Sequence, residues 1–353
     1  MKQGRKYALN LLLILVITVF AVWFAVKDNY EEVLRLISNI KWYYLVIIMA
    51  WGIVYTLVIG WIYQVFGRRY RKGYRFLHGV VVAFVGAFFS GITPSATGGQ
   101  FAQAYIMKKQ GIKVSDGASI LWADFIVYQT TMMIYVTILF LLRFSYYSAQ
   151  NAWFNLILLG YLINVVVICA LYPVALFPKV YIRLSGVIVN LLARIHLVKN
   201  REETLANWNL QLASFTTEIK KLTKDKRLIL ETAGINVLRM TLQFSLPFFI
   251  ALMMGIHLQP GQLIDVIALS SFVMMANSFI PIPGASGGTE VVFALLFGSL
   301  FGSGTGAVLL LWRFSTYHLV LICGAVIFIL AKRYYDKKQS REERDSLPKE
   351  EIL

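Results

Sequence analysis

Long apolar runs separated by short basic loops set the pattern of this chain. Six runs have the roughly 20 apolar residues that a helix needs to cross a bilayer: Tyr7 to Val26, Trp42 to Phe66, Ala118 to Leu142, Ala152 to Leu176, Thr232 to Ile256 and Gly306 to Leu330. The first follows Lys2, Arg5 and Lys6 but is longer than a signal core and lacks a small-x-small cleavage site, so it reads as a retained first helix. Two further apolar stretches are interrupted. The one from Phe76 to Met107 is broken by Ser90-Gly-Ile-Thr-Pro-Ser-Ala-Thr-Gly-Gly99, and the one from Leu263 to Leu300 by Asn277-Ser-Phe-Ile-Pro-Ile-Pro-Gly-Ala-Ser-Gly-Gly-Thr289. Proline and paired glycines break the helical ladder, and irregular backbone at membrane depth is tolerated only where protein buries it or a wet cavity receives it.

Loop charges give each segment a side. Arg68, Arg69, Arg71, Lys72 and Arg75 precede the first broken stretch, and Lys108, Lys109 and Lys113 follow it. Basic loops stay in the cytoplasm, so this stretch enters and leaves on one side as a re-entrant hairpin. Arg143 to Asn151 is nearly uncharged and reads as external, Lys179 to Arg227 as cytoplasmic, and His257 to Gln262 as external. The second hairpin then dips in from outside, and the basic tail from Lys332 is cytoplasmic. The order span, hairpin, span thus occurs twice with opposite orientation, at about 42–142 and 228–330, as in inverted-repeat transporters. Pro94-Ser-Ala-Thr-Gly-Gly99 aligns without gaps to Pro283-Gly-Ala-Ser-Gly-Gly288 at corresponding places in the two halves. The expected architecture is an all-α polytopic membrane protein with six full spans and two re-entrant helical hairpins. Residues 1–332 form its transmembrane domain and 333–353 a loose charged tail.

Two polar segments complete the layout. Asp28 to Lys41 puts Val33, Leu34, Ile37 and Ile40 on one helical face and is expected along the outer interface. Within the cytoplasmic stretch 179–227, Arg201 to Lys226 spaces Leu205, Trp208, Leu212 and Phe215 as an amphipathic helix would.

Composition sharpens the class. Of 353 residues, 58% are hydrophobic and 15% charged, against about 45–50% and 25% in soluble domains, which excludes a soluble enzyme. The net charge of +16 sits in loops between spans, and no basic, aromatic-interleaved domain exists to bind nucleic acid. Cys169 and Cys323 lie in apolar runs and read as small packed residues.

The remaining polar residues carry the candidate chemistry. Charges within spans cost about 2.5–3.5 kcal/mol each on insertion scales, which singles out Asp124, Arg239, Glu290 and Arg313. Asp124 and Arg239 lie near enough to span ends to be structural, and Arg313 paired with Glu290 could be an internal staple. A half-helix starting inside the membrane offers unpaired N–H groups to an anion, phosphate above all. Gly98, Gly99, Gly287 and Gly288 would let that anion approach, or would simply let each hairpin pack tightly. Thr93, Ser95, Thr97, Ser286 and Thr289 would supply hydroxyls, and Gln100, Gln103 and Tyr317 further polar groups. The four histidines show no metal-ligand spacing, and no Walker-type loop or nucleophile with its base occurs; no cofactor is expected.

These motifs resemble the flippase-like membrane domain of the lysylphosphatidylglycerol synthases and its stand-alone relatives. The resemblance rests on Thr93-Pro-Ser-Ala-Thr-Gly-Gly-Gln100 followed by Ala104-Tyr105, on Pro281-Ile-Pro-Gly-Ala-Ser-Gly-Gly-Thr-Glu290, and on Trp312-Arg-Phe-Ser-Thr-Tyr317 with Gly324. It implies a lipid translocase for an anionic or aminoacylated phospholipid or a polyprenyl-phosphate lipid, resident in the cell membrane as a homodimer or beside a separate synthase. Many relatives carry Glu and then Arg where this chain has Gln100 and Gln103, which implies a different headgroup preference. The chain is also expected to lack the soluble aminoacyl-transferase domain. The alternative reading is a phosphatidylglycerol lysyltransferase or a subunit of one, with Glu290 and Asp124 as its acid/base candidates; a third is a scaffold for envelope enzymes.

Overall fold

A computed structural model of the chain describes residues 38–93, 96–142, 224–277 and 282–346, residues 31 and 35, and parts of 158–169 and 217–222. The expected span from Tyr7 to Val26, most of that from Ala152 to Leu176, and most of the two polar segments lie outside the described residues. Among the described residues the regular structure is helical throughout. The elements are α1 (Trp42–Gly67), α2 (Phe76–Ile92), α3 (Thr97–Lys109), α4 (Val114–Leu142), α5 (Lys226–Met253), α6 (Gln262–Asn277), α7 (Gly288–Phe301), α8 (Thr305–Arg313), a π-helical turn at Phe314–His318, and α9 (Leu319–Ser346).

Length separates spans from hairpin arms. The helices α1, α4 and α5 and the composite Pro283–Gln339 are long and apolar enough to cross a membrane, whereas α2 and α6 are apolar but shorter. At 1.5 Å per residue, the 17 residues of α2 reach only about 25 Å, short of the ~30 Å core. The order α1, α2/α3, α4 is repeated as α5, α6/α7, α8–α9, the span, hairpin, span sequence of the loop-charge argument. The chain is therefore an all-α polytopic membrane protein.

Lipid tails are as apolar as the helices, so close backbone approach has to hold the bundle together. At the crossing of α1 with α2, a Cβ on Gly79 would lie 2.1 Å from the Gly60 carbonyl oxygen. Where α1 meets the π-turn, a Cβ on Gly52 would lie 2.1 Å from the Ser315 carbonyl oxygen. The Ser315 hydroxyl sits on the rung between Ile48 and Gly52: it accepts from the Gly52 N–H at 3.2 Å and donates to the Ile48 carbonyl. Side chains inserted into a helical ladder in this way lock two helices in register.

Two apolar cores flank this seam. In the second half, Phe293, Phe297 and Phe301 stack along α7 at centroid distances of 4.3 and 5.0 Å, and Phe293 stacks on Trp312 of α8 at 5.1 Å. In the first half, Phe66, Tyr74, Ile106, Met107 and Ile120 are buried together, with Tyr335 from the C-terminal half of α9. Trp42, Leu77, Phe101 and Leu141 are exposed by 65–80% or so and form an outer face suited to lipid.

One expectation is corrected here. The tail beyond Lys332 is not loose up to Ser346, because α9 runs on to that residue. Lys109 at the foot of the first hairpin pairs with Asp336 at 2.8 Å and donates to Gln339 at 2.9 Å, which extends the docking of α9 past its apolar part. A pattern of charged residues alone does not reveal such an anchor.

Candidate functional site

The hairpin breaks follow from their prolines. A residue before proline is disfavoured in the α region; Thr93, before Pro94, has φ −117° and ψ 144°, and Ile282, before Pro283, has φ −98° and ψ 143°. Each break then turns through an alanine in the left-handed region, Ala96 at φ 55° and Ala285 at φ 49°; among the described residues no other non-glycine has positive φ. These two alanines occupy equivalent positions in the aligned six-residue motifs. Shared backbone strain at matched positions, at about 1–2 kcal/mol per residue, supports a genuine internal repeat far better than shared glycines do.

That strain makes a prediction. Ala285→Gly should change stability by less than about 1 kcal/mol, relief of strain being offset by a freer unfolded chain. Ala285→Val should cost about 1–3 kcal/mol, because a β-branched residue is worse in this region. Thermal unfolding in detergent measures both, and equal tolerance of glycine and valine would rule out the left-handed turn.

The two breaks meet at one side chain. Tyr317, in the π-turn, donates its hydroxyl to the Gly91 carbonyl of the first hairpin at 3.0 Å. Its ring also fills the space beside Gly284 of the second, where a Cβ would stand 2.1 Å from the phenolic oxygen. Arg313 stacks its guanidinium 4.5 Å from the Tyr317 ring centre. One turn of helix and its π-bulge therefore join both hairpins, and π-bulges often occur at functional sites.

Arg313 is held on three sides. Its Nε donates to Glu290 Oε1 at 2.8 Å, and its Nη2 donates to the Gly284 carbonyl at 3.1 Å and to Ser286 Oγ at 3.4 Å. Among the described residues Nη1 makes no hydrogen bond. The other carboxylate oxygen, Glu290 Oε2, accepts from the Gly287 N–H at 2.6 Å. The side chains are 8% and 1% exposed, so the pair is closed off from its surroundings.

Glu290 therefore occupies part of the position expected for an anion. A carboxylate at the third position of a helix commonly caps its first amide, and here it caps α7 while neutralising Arg313. In the first hairpin the Thr93 hydroxyl accepts from the Gly98 N–H at 2.9 Å and donates to the Phe89 carbonyl at 2.7 Å. Gly98 and Gly99 lie against α2, since a Cβ on Gly99 would fall 1.9 Å from Ser90 Oγ. In this conformation both helix starts are capped from within and the first-hairpin glycines serve packing.

A second polar cluster links α1, α3, α4 and α5. Arg239 lies 4.4 Å from the Tyr128 ring centre and 5.7 Å from that of Tyr55, and hydrogen-bonds to the Tyr55 hydroxyl and Asn236 Oδ1 at 3.4 Å each. Gln103 donates to the Tyr63 hydroxyl at 2.8 Å. Asp124 is 7% exposed, its Oδ1 has no hydrogen-bond partner, and no ion pair within 4.0 Å joins it to Arg239. This cluster shares none of its named residues with the Glu290–Arg313 group.

Of the residues singled out from sequence, Ser286, Glu290, Arg313 and Tyr317 converge with Gly287 at the hairpin junction. Thr289, fully buried beside them, lies 3.0 Å from Asn277 Oδ1 and 2.9 Å from the Ala285 carbonyl. Gly288 begins α7 itself. Thr97 and Gln100 are exposed on α3, and Ser95 lies outside the described residues. Asp124, Arg239 and Gln103 belong to the other cluster. Sequence reasoning passed over Gly91, Gly284, Ser315, Tyr55, Tyr63 and Tyr128. Gly91, Gly284 and Ser315 stood inside quoted motifs, but a tyrosine in an apolar span carries no signal of its partner.

An all-α membrane fold whose two broken hairpins meet around a buried ion pair defines a polytopic membrane protein with two matched helix breaks. A family model for the lysylphosphatidylglycerol synthase TM region matches residues 10–324, and the chain belongs to that family. It is also similar to a protein named UPF0104 membrane protein from Archaeoglobus fulgidus, 24% identical over 279 residues, which cover 76% of this chain and 81% of that protein.

Proposed function

We propose that the chain is a lipid translocase that moves an anionic or aminoacylated phospholipid, or a polyprenyl-phosphate lipid, between membrane leaflets. The observation that carries this reading is the junction itself, where Tyr317 and Arg313 tie both hairpin tips to one buried ion pair. A headgroup entering between the hairpins replaces the internal contacts with its own: its phosphate takes Arg313, and a cationic aminoacyl group, where present, takes Glu290. An aminoacylated ligand substitutes for both halves of the pair at once, so neither charge is left unpaired in a desolvated site. Rocking of one repeat against the other then exposes the junction to each leaflet in turn. On the loop-charge orientation the protein sits in the cell membrane with both termini cytoplasmic.

Reconstitution tests the reading directly. Purified protein in liposomes is expected to accelerate leaflet exchange of fluorescent phosphatidylglycerol and of lysylphosphatidylglycerol over protein-free vesicles. Absence of protein-dependent exchange for every anionic or aminoacylated lipid tried would sink it. The family's name favours a second reading, a membrane-bound phosphatidylglycerol lysyltransferase or a partner subunit of one. Lysyl incorporation into lipid from charged tRNA by the purified chain would decide for that alternative.

A further inference from the structure

The foot of the first hairpin holds a cavity of about 630 Å³ to which the translocation reading gives no role. Three separate parts of the chain supply its cations: Arg71 from the loop between α1 and α2, Lys108 from the end of α3, and Lys338 from the C-terminal half of α9. Tyr105 and Tyr335 complete its apolar and hydroxyl lining. Lys109 also borders it, with Asp336 as its counter-charge at 2.8 Å, and among the described residues that line the cavity the charged ones are all basic.

The walls are built rather than incidental. Gln110, 1% exposed, receives the Tyr74 hydroxyl and the Arg71 guanidinium on its two carbonyl groups, and donates to the His78 carbonyl at 3.1 Å and the Tyr335 hydroxyl at 3.0 Å. Burial raises the Tyr74 phenol well above its ordinary range, so it remains the neutral donor this network needs. One buried amide thus fixes Arg71, the hairpin foot and α9 around the same space. Like charges gathered from three elements repel one another, and an anion placed among them reverses that cost.

We infer that this cavity binds the phosphate of an anionic phospholipid in the leaflet on the side of the hairpin's foot. A volume of this size holds a phosphate together with the polar part of a headgroup, and basic pockets between membrane helices are suited to such groups. The lipid source is favoured over free phosphate by exposed apolar surface next to the cavity: Tyr105, in its lining, is 39% exposed, and Phe101 one helical turn away along α3 is 79% exposed. Acyl chains can lie on that surface beside the charged cavity. An anion bridging Arg71 and Lys338 also fastens the loop before the first hairpin to α9, whose N-terminal end follows the turn that carries Tyr317.

The experiment is lipid binding to the full chain, read by native mass spectrometry from neutral detergent, with phosphatidic acid, phosphatidylglycerol, phosphatidylcholine and inorganic phosphate as probes. Lys108→Gln with Lys338→Gln removes two cavity charges at exposed positions, while Lys332→Gln with Lys337→Gln removes two from the same region outside the lining. The expected result is binding of both anionic lipids over phosphatidylcholine, weakened at least about tenfold by the cavity pair and less than about threefold by the control pair. Equal weakening by both pairs would assign the binding to diffuse surface charge and overturn the site, as would binding that neither pair changes. Binding of inorganic phosphate as tight as that of the lipids would overturn the lipid source. None of these readouts depends on leaflet exchange, so failure here leaves the translocase reading standing, and the reverse.

Discussion

Glu290→Ala is expected to destabilise the protein by about 3–5 kcal/mol, since it leaves the Arg313 guanidinium buried at 8% exposure without its carboxylate. The Gly287 N–H loses its acceptor in the same variant. Arg313→Ala should cost a similar amount for the mirror-image reason. These single variants do not distinguish an internal staple from a headgroup site, because both readings predict unfolding. The double variant Glu290→Leu with Arg313→Met does distinguish them. It removes both charges and retains much of the volume, so it should be more stable than either single variant. A translocase that reads its lipid through these charges should nevertheless lose at least about tenfold of its exchange rate. Unfolding in detergent and exchange in liposomes, measured side by side, check both parts; full exchange in the stable double variant would reduce the pair to a staple.

Gly52→Ala should be as damaging although it adds a single methyl group. The new Cβ would stand 2.1 Å from the Ser315 carbonyl oxygen and 2.8 Å from its hydroxyl. Backbone rather than a flexible side chain blocks it, so α1 and the π-turn have to separate. The expected loss is about 3 kcal/mol or more, the upper range for overpacking, and a marked fall in membrane abundance follows from a loss of that size. Ser315→Ala is the control. It removes the hydroxyl from the Ile48–Gly52 rung but lets the helix re-form that hydrogen bond, at a cost of about 1 kcal/mol. If melting temperatures place the two variants together, the close approach of these helices is not what holds the junction.

Much of the architecture was legible because a bilayer imposes length and charge rules on every segment. The apolar runs gave α1 and α4 to within four residues and α5 to within six, and the prolines at 94 and 283 located both breaks. The site was legible only in part. Glu290 and Arg313 stood out as charges in apolar surroundings, and an internal staple between them was one reading of the sequence. Asp124 and Arg239 stood out for the same reason, yet they pack with Tyr55, Tyr63 and Tyr128 in a separate group. The glycines were ambiguous from the start: Gly99 turned out to face Ser90 across the hairpin, a contact no spacing rule could choose over an open approach to ligand.

The sequence by itself therefore determined the class, the segment order and the places of the two helix breaks, because hydropathy and proline act locally and leave a linear record. Only the tertiary structure decided which polar groups meet. Tyr317 reaches Gly91 across 226 positions of chain, and Ser315 reaches Ile48 across 267. Such partners are selected by helix packing at close range, where one Cβ or one carbonyl admits or excludes a contact, and that geometry has no counterpart in the order of residues.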